Sequence, residues 1–269
     1  MRPLPRPVTF TAIACLGLLY LPLLAVAVLS FNSTRLGTAW GGFTWGWYRK
    51  LVENASVLSA AENSLIVALA STLASTLIGT LLAIGLRRLP LGRKGRLLGE
   101  MGTTLPTVTP DILLAAALVV AYGLLRTVSP WFEPGLMTLI IGHITFQISF
   151  VAVVVSSRLA AIGTDQIEAA RDLYASTGLL WRRVLLPQLA PGIVAGALLA
   201  FTLSLDDFVV SFFVSGPSST TLPILIYASV KRGVTPEIHA LSTLIVVATM
   251  LTILGVALLD RRNPRKSEP

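Results

Sequence analysis

Residues 168–187 read EAARDLYASTGLLWRRVLLP, and the reading of this stretch decides the fold. It is a charged, helix-forming insert between two long apolar runs, and it is too polar to cross a bilayer. Asp165 precedes it and can cap a first short helix, with Glu168 favoured near the positive helix end. Gly178 permits a left-handed turn that ends that helix, and Pro187 stops a second one because it cannot continue the hydrogen-bond ladder. The expectation is a helix-turn-helix presented on a membrane surface.

Long apolar runs dominate the chain around this insert. A hydrophobic share of 54% with only 13% charged residues, and a mean hydropathy of +0.78, belong to a polytopic all-α membrane protein rather than a soluble domain. At about 20 residues per crossing, 269 residues leave room for five to eight spans. The net charge of +8 lies between apolar runs, as topology signals do, so nucleic-acid binding is not expected. Cys15 is the one cysteine and sits inside an apolar run, which excludes a disulfide framework and a cysteine-based metal site. His143 and His239 are the two histidines, too few for a three-ligand zinc site without carboxylates nearby.

Six spans are expected, at about 9–31, 63–86, 102–125, 136–156, 189–211 and 238–259, in a single transmembrane domain covering residues 1–269. The first run exceeds the apolar core of a signal peptide despite the Ala25-Val26-Ala27 triplet, and is read as an uncleaved helix. Trp40, Trp45, Trp47 and Tyr48 follow it as interfacial anchors. Ser71, Ser75, Gly79 and Ala83 in the second span, and Gly192, Gly196, Ala200 and Ser204 in the fifth, form stripes of small side chains that let helices approach closely. His143 and Gln147, one turn apart, are read as interhelical hydrogen-bonding groups.

With both termini cytoplasmic, 15 of the 21 Lys and Arg residues fall in inner segments. These include Arg2 and Arg6, the loop bearing Arg87, Arg88, Arg93, Lys94 and Arg96, and the tail with Arg261, Arg262, Arg265 and Lys266. That orientation makes the segment 157–188 cytoplasmic and puts Asp206 and Asp207 in the outer half of the membrane. Adjacent helical residues project about 100° apart, so one of these two aspartates is expected to line a wet cavity and the other to bond a neighbouring helix. Asp111, after Pro106 and Pro110, has two open readings: a functional carboxylate, or a partner for backbone released by the prolines. No G-x-x-x-x-G-K-[ST] loop, nucleophile-base pair or metal cluster appears, so neither ATP binding nor catalysis by this chain is expected.

The residues Glu168, Ala169, Ala170, Asp172, Gly178, Leu186 and Pro187 resemble the EAA signature of transmembrane permease subunits of bacterial ABC importers. PTVTPDILLA (106–115), HITFQISFVAVVVSSRL (143–159), FTLSLDDFVVSFFVSGPSSTTLP (201–223) and VTPEIHALSTL (234–244) are similar to segments of spermidine/putrescine permeases of the second-subunit type. The resemblance covers about residues 60–255. It implies the type I ABC importer permease fold and an inner-membrane location. It also implies a homologous second permease, two cytoplasmic ATP-binding subunits that alone carry ATP and Mg, and a periplasmic or extracellular polyamine-binding protein. By the same resemblance the EAA loop docks on the ATPase, no cofactor or metal is held by this chain, and Asp206, Asp207, Asp111, Tyr122 and Phe208, with Phe212 nearby, are the substrate-path candidates for a flexible cation. Tyr174 departs from the pattern, which commonly has glycine there; the expectation is a loop helix left intact with an altered surface offered to the ATPase. An ion-coupled secondary carrier of a small cation, working through Asp111 and Asp206/Asp207, is the competing reading; such carriers usually show internal repeats, and none is evident here.

Overall fold

The structure is a computed structural model that describes residues 6–34, 39–88, 92–163 and 165–261. Arg2 and the tail residues Arg262, Arg265 and Lys266 lie outside the described residues. The described chain is helical, with no strand and one isolated bridge between Asn32 and Phe43. Twelve helices occur in order among the described residues: α1 Arg6–Leu29, α2 Gly46–Glu53, α3 Ala55–Arg88, α4 Arg93–Val108, α5 Asp111–Leu125, α6 Leu136–Ala161, α7 Asp165–Asp172, α8 Thr177–Leu180, α9 Leu186–Asp206, α10 Val209–Val214, α11 Leu222–Arg232 and α12 Pro236–Arg261. Four helical runs are long and apolar enough to cross a membrane, or five if α4 and α5 count as one broken span.

The chain divides into two compact units. One comprises residues 1–58 and 226–269, in which α12 packs on α1 and α2. Its loop is closed by aromatic rings: Phe31 stacks on Phe43 at 5.1 Å and meets Trp45 edge-on at 4.8 Å, while Trp47 Nε1 donates to the Asn32 carbonyl at 2.7 Å. These side chains hold the loop to itself as well as suiting a membrane boundary. Asn54 Nδ2 donates to Glu237 Oε1 at 2.8 Å, fixing the start of α12.

The second unit, residues 59–225, carries the chemistry. Its centre is α6, against which both small-residue stripes are laid. Ser71, Ser75 and Ala83 are buried on α3, and a side chain at Gly79 would put its Cβ 2.8 Å from the Ile148 carbonyl and 2.8 Å from Val151 Cβ. Gly192, Gly196, Ala200 and Ser204 are buried on α9, with the Gly196 position 3.4 Å from Val151 Cγ1. Val151, Ala152 and Val155 of α6 join Ala83 and Ala200 in one core cluster. Small residues on the two flanking helices thus let both backbones close on a single branched seam.

Prolines shape the rest, and not always as their chemistry first suggests. The expected third span, 102–125, is two helices meeting at 110°. Thr109, directly before Pro110, is held extended at ψ 131, because a proline ring clashes with a helical residue preceding it. The Thr109 amide and hydroxyl both donate to the Leu105 carbonyl, at 2.9 and 2.7 Å, closing α4. Pro187, expected to stop a helix, does not: Thr177–Asp206 is one helical run of 30 residues. A π-helical turn at Trp181–Leu185 precedes the proline, and the Leu186 amide reaches back to the Trp181 carbonyl. The widened turn shifts the bonding register where the proline lacks a donor, so its ring is accommodated. The expected 189–211 span accordingly begins earlier, in the charged insert, and ends at Asp206.

The close approach sets a test. Gly79→Ala should lower the unfolding midpoint of the purified protein in detergent, by a loss of about 1–3 kcal/mol from overpacking. Gly196→Ala, with ordinary contact distance available, should leave the midpoint near that of the parent. Equal midpoints for the two variants would remove the tight seam at Gly79.

Candidate coupling loop and substrate path

The candidate coupling loop is built from α7, α8 and the π turn. Asp165 is the first residue of α7 and, with Glu168, places negative charge in its first turn, where the helix dipole favours it. The helix ends at Asp172, short of the expected turn at Gly178. Its end is a Schellman motif: the Ala175 amide donates to the Ala170 carbonyl at 3.0 Å, and the Tyr174 amide to the Arg171 carbonyl at 2.8 Å. Tyr174 occupies the left-handed position with φ 55. The expectation of a loop helix left intact at Tyr174 is therefore corrected; this position is the turn itself, which glycine adopts without the Cβ clash that tyrosine meets. Gly178 lies instead inside α8, whose start is capped by Ser176 accepting from the Leu179 amide at 3.4 Å.

The loop has an inner and an outer side. Leu180, Leu185 and Leu189 are buried and anchor it, while Glu168, Ala169, Asp172, Gly178, Leu186 and Pro187 are exposed. Leu173 and Tyr174 stand out at 81% and 97% exposed, an apolar tip on an otherwise charged surface. No sequence signal separated this tip from the rest of the signature; it arises from the left-handed turn, which swings both residues outward.

At the far end of α9 the two aspartates part company, as their helical projection requires. The Asp207 side chain is 9% exposed and is used up internally. Its Oδ2 accepts from the Ser211 amide and hydroxyl, both at 2.8 Å, and its Oδ1 from the Val210 amide at 3.3 Å, so it closes the start of α10. His143 Nε2 lies 3.4 Å from the same carboxylate and 3.0 Å from Ser211 Oγ, while His143 Nδ1 is 2.7 Å from Ser204 Oγ. One turn along α6, Gln147 accepts from Ser75 Oγ at 3.0 Å and donates to the Ala200 carbonyl at 3.1 Å. His143 and Gln147 are thus the interhelical groups their spacing suggested. Their partners Ser75 and Ser204 belong to the small-residue stripes, and Ser211 is the partner that no pattern marked.

Asp206, by contrast, is exposed and lies within electrostatic range of Asp111, the exposed first residue of α5. The helix break at Pro110 is what brings Asp111 to this end of the unit. Phe208 sits between the two helices α9 and α10, with its ring 5.3 Å from that of Phe212. Tyr122 belongs to the core: it is 6% exposed and its hydroxyl donates to the Thr138 carbonyl at 3.1 Å. No group of three or more His, Cys, Asp or Glu suited to a metal ion occurs among the described residues.

Two outcomes are expected from these geometries. Tyr174→Gly should relieve about 1 kcal/mol of left-handed strain and slow amide hydrogen exchange over 165–180, whereas Tyr174→Val should speed it. His143→Leu should cost about 1–3 kcal/mol of stability in detergent by taking one hydrogen-bond partner from each of two buried hydroxyls and from the Asp207 carboxylate, which the unfolding midpoint measures.

Similarity to known proteins extends over most of the chain. Residues 75–267 match the family described as binding-protein-dependent transport system inner membrane component. The chain is 41% identical over 243 residues to the spermidine/putrescine transport system permease protein PotC of Escherichia coli K12, covering 90% of this chain and 89% of that one. It is also 41% identical over 235 residues to the putrescine transport system permease protein PotI of the same strain, covering 86% and 82%. A solved bacterial ABC transporter involved in import of the acidic polysaccharide alginate shares the fold, with TM-score 0.73 at 17% identity over 96% of this chain and 93% of that one. The chain belongs to the binding-protein-dependent transport system inner membrane component family, and is a transmembrane permease subunit of an ABC importer.

Proposed function

We propose that this permease imports a linear polyamine, spermidine or putrescine, across the inner membrane. The observation that carries the reading is its 41% identity, over nearly the full length of both chains, to two permeases of polyamine systems. A polyamine is a flexible cation at neutral pH, and the exposed carboxylates of Asp206 and Asp111 offer it charge-assisted hydrogen bonds. Phe208 and Phe212 beside them supply aromatic faces for cation-π contact. Asp207 keeps the mouth in shape through His143 and Ser211, and Tyr122 supports the core behind it.

Energy comes from outside the chain. Two cytoplasmic ATP-binding subunits hold ATP and Mg and grip the loop at Glu168, Ala169, Ala170 and Asp172, with the Leu173–Tyr174 tip entering an apolar recess. A homologous second permease completes the pathway, a periplasmic or extracellular polyamine-binding protein delivers the substrate, and both termini face the cytoplasm. The continuous run from Thr177 to Asp206 spans roughly 45 Å at 1.5 Å per residue, so a push on the loop reaches the substrate mouth along one rod.

The decisive experiment purifies the complex that accompanies this chain, identifies its subunits by mass spectrometry, and measures radiolabelled spermidine uptake in vesicles containing it. Wild type should retain an ATP-binding subunit, and Glu168→Lys should lose both that subunit and uptake while staying in the membrane. Asp206→Asn should raise the half-saturating spermidine concentration by about tenfold, the scale of one charge-assisted contact. Absence of an ATP-binding subunit from the wild-type complex sinks the importer assembly, and unchanged spermidine uptake in Asp206→Asn sinks the substrate role.

A further inference from the structure

The loop between α6 and α9 has a pinned neck. Arg158 in the last turn of α6 donates through Nε to the carbonyl of Gln188 in the first turn of α9, at 2.9 Å and thirty residues apart in sequence. The Gln188 side chain in turn donates through Nε2 to Oε1 of Gln166 on α7. Gly192 is what admits this arrangement: a Cβ there would lie 2.6 Å from Arg158 Cβ and 2.8 Å from Arg158 Cγ, so the arginine stem lies directly on the α9 backbone. Three elements, α6, α7 and α9, therefore meet at one short chain of hydrogen bonds.

We propose that Arg158 is a positioning residue for energy coupling, a neck clamp that makes the loop move with α6 and α9 as one body rather than deform when it is pushed. The inference rests on the loop being the contact for the ATP-binding subunits. A loop whose entry and exit are free absorbs a displacement in its own backbone torsions. One whose entry, exit and first helix are joined passes it to the two helices that hold the His143 and Gln147 contacts. The first link binds a backbone carbonyl, so it depends on Arg158 and on the absence of a side chain at residue 192, while the link to α7 depends on the side chains of Gln188 and Gln166.

The test uses the complete complex in vesicles and reads spermidine carried per ATP hydrolysed. Arg158→Ala and Gly192→Ala should retain all subunits and continue to hydrolyse ATP, with spermidine per ATP lowered by about fivefold, the scale of one net hydrogen bond. Arg158→Lys, which can still donate to the Gln188 carbonyl, should recover most of the ratio; a merely structural role would not show this split between hydrolysis and transport. A wild-type ratio in Arg158→Ala overturns the clamp. If Arg158→Ala fails to assemble, the exposed Gln166→Ala decides: a lowered ratio supports the proposal and an unchanged one overturns it. Loss of the ATP-binding subunit in Glu168→Lys is scored separately, so the loop contact and the clamp stand or fall on different measurements.

Discussion

Inside a membrane, polar groups have no water to turn to, and this constraint organises the permease around one edge of α6. His143 and Gln147 place two polar side chains one turn apart in the most buried helix of the unit. Each reaches across to α9, and between them they also engage α3 and α10 through Ser75, Ser211 and Asp207. Apolar packing against lipid-like surroundings gives little directional preference, so these hydrogen bonds select the rotation and depth at which the helices settle. The glycines and serines of the two stripes serve the same end, because only small side chains allow donors and acceptors on separate helices to come within bonding distance.

Much of this was legible in the residue pattern. Apolar runs, stripes at four-residue spacing and the pair His143 and Gln147 translate directly into lipid-facing helices and a shared polar edge. What stayed hidden depended on where backbone bends. Pro110 and Pro187 have the same missing donor, yet one breaks a helix by 110° and the other rides inside a continuous rod. The difference lies in neighbours: an extended Thr109 with its own hydroxyl bond in the first case, a π turn in the second. Neither is written in a single residue. Tyr174 was hidden for a related reason, since a tyrosine does not advertise a left-handed turn, and only the hydrogen bonds of Ala175 and Tyr174 to the preceding helix reveal it.

The division of labour between Asp206 and Asp207 illustrates how far a spacing argument carries. Two neighbouring carboxylates on one helix end cannot face the same direction, and one is exposed while the other is enclosed. Which is which depends on His143 and Ser211, residues contributed by other helices. The inward carboxylate holds the turn into α10, and the outward one is exposed. This end of the unit keeps its shape independently of Asp206, because the carboxylate that shapes it is Asp207.

The π turn at Trp181–Leu185 has a bearing on how this helix tolerates change in length. A π turn holds one more residue than the α turn it replaces, and each residue of an α-helix is rotated by about 100° from the one before it. Taking a single residue out of 181–185 would leave an α turn covering the same rotation, with Gly192, Gly196, Ala200 and Ser204 still facing α6, whereas a deletion in the regular winding beyond it would turn the residues on one side by about 100°. The π turn thus takes up one residue between two halves of one rod, with Leu180 and Leu185 buried in the first half and the small face of the second half on the seam. Loss of one residue is therefore best absorbed where the helix is least regular.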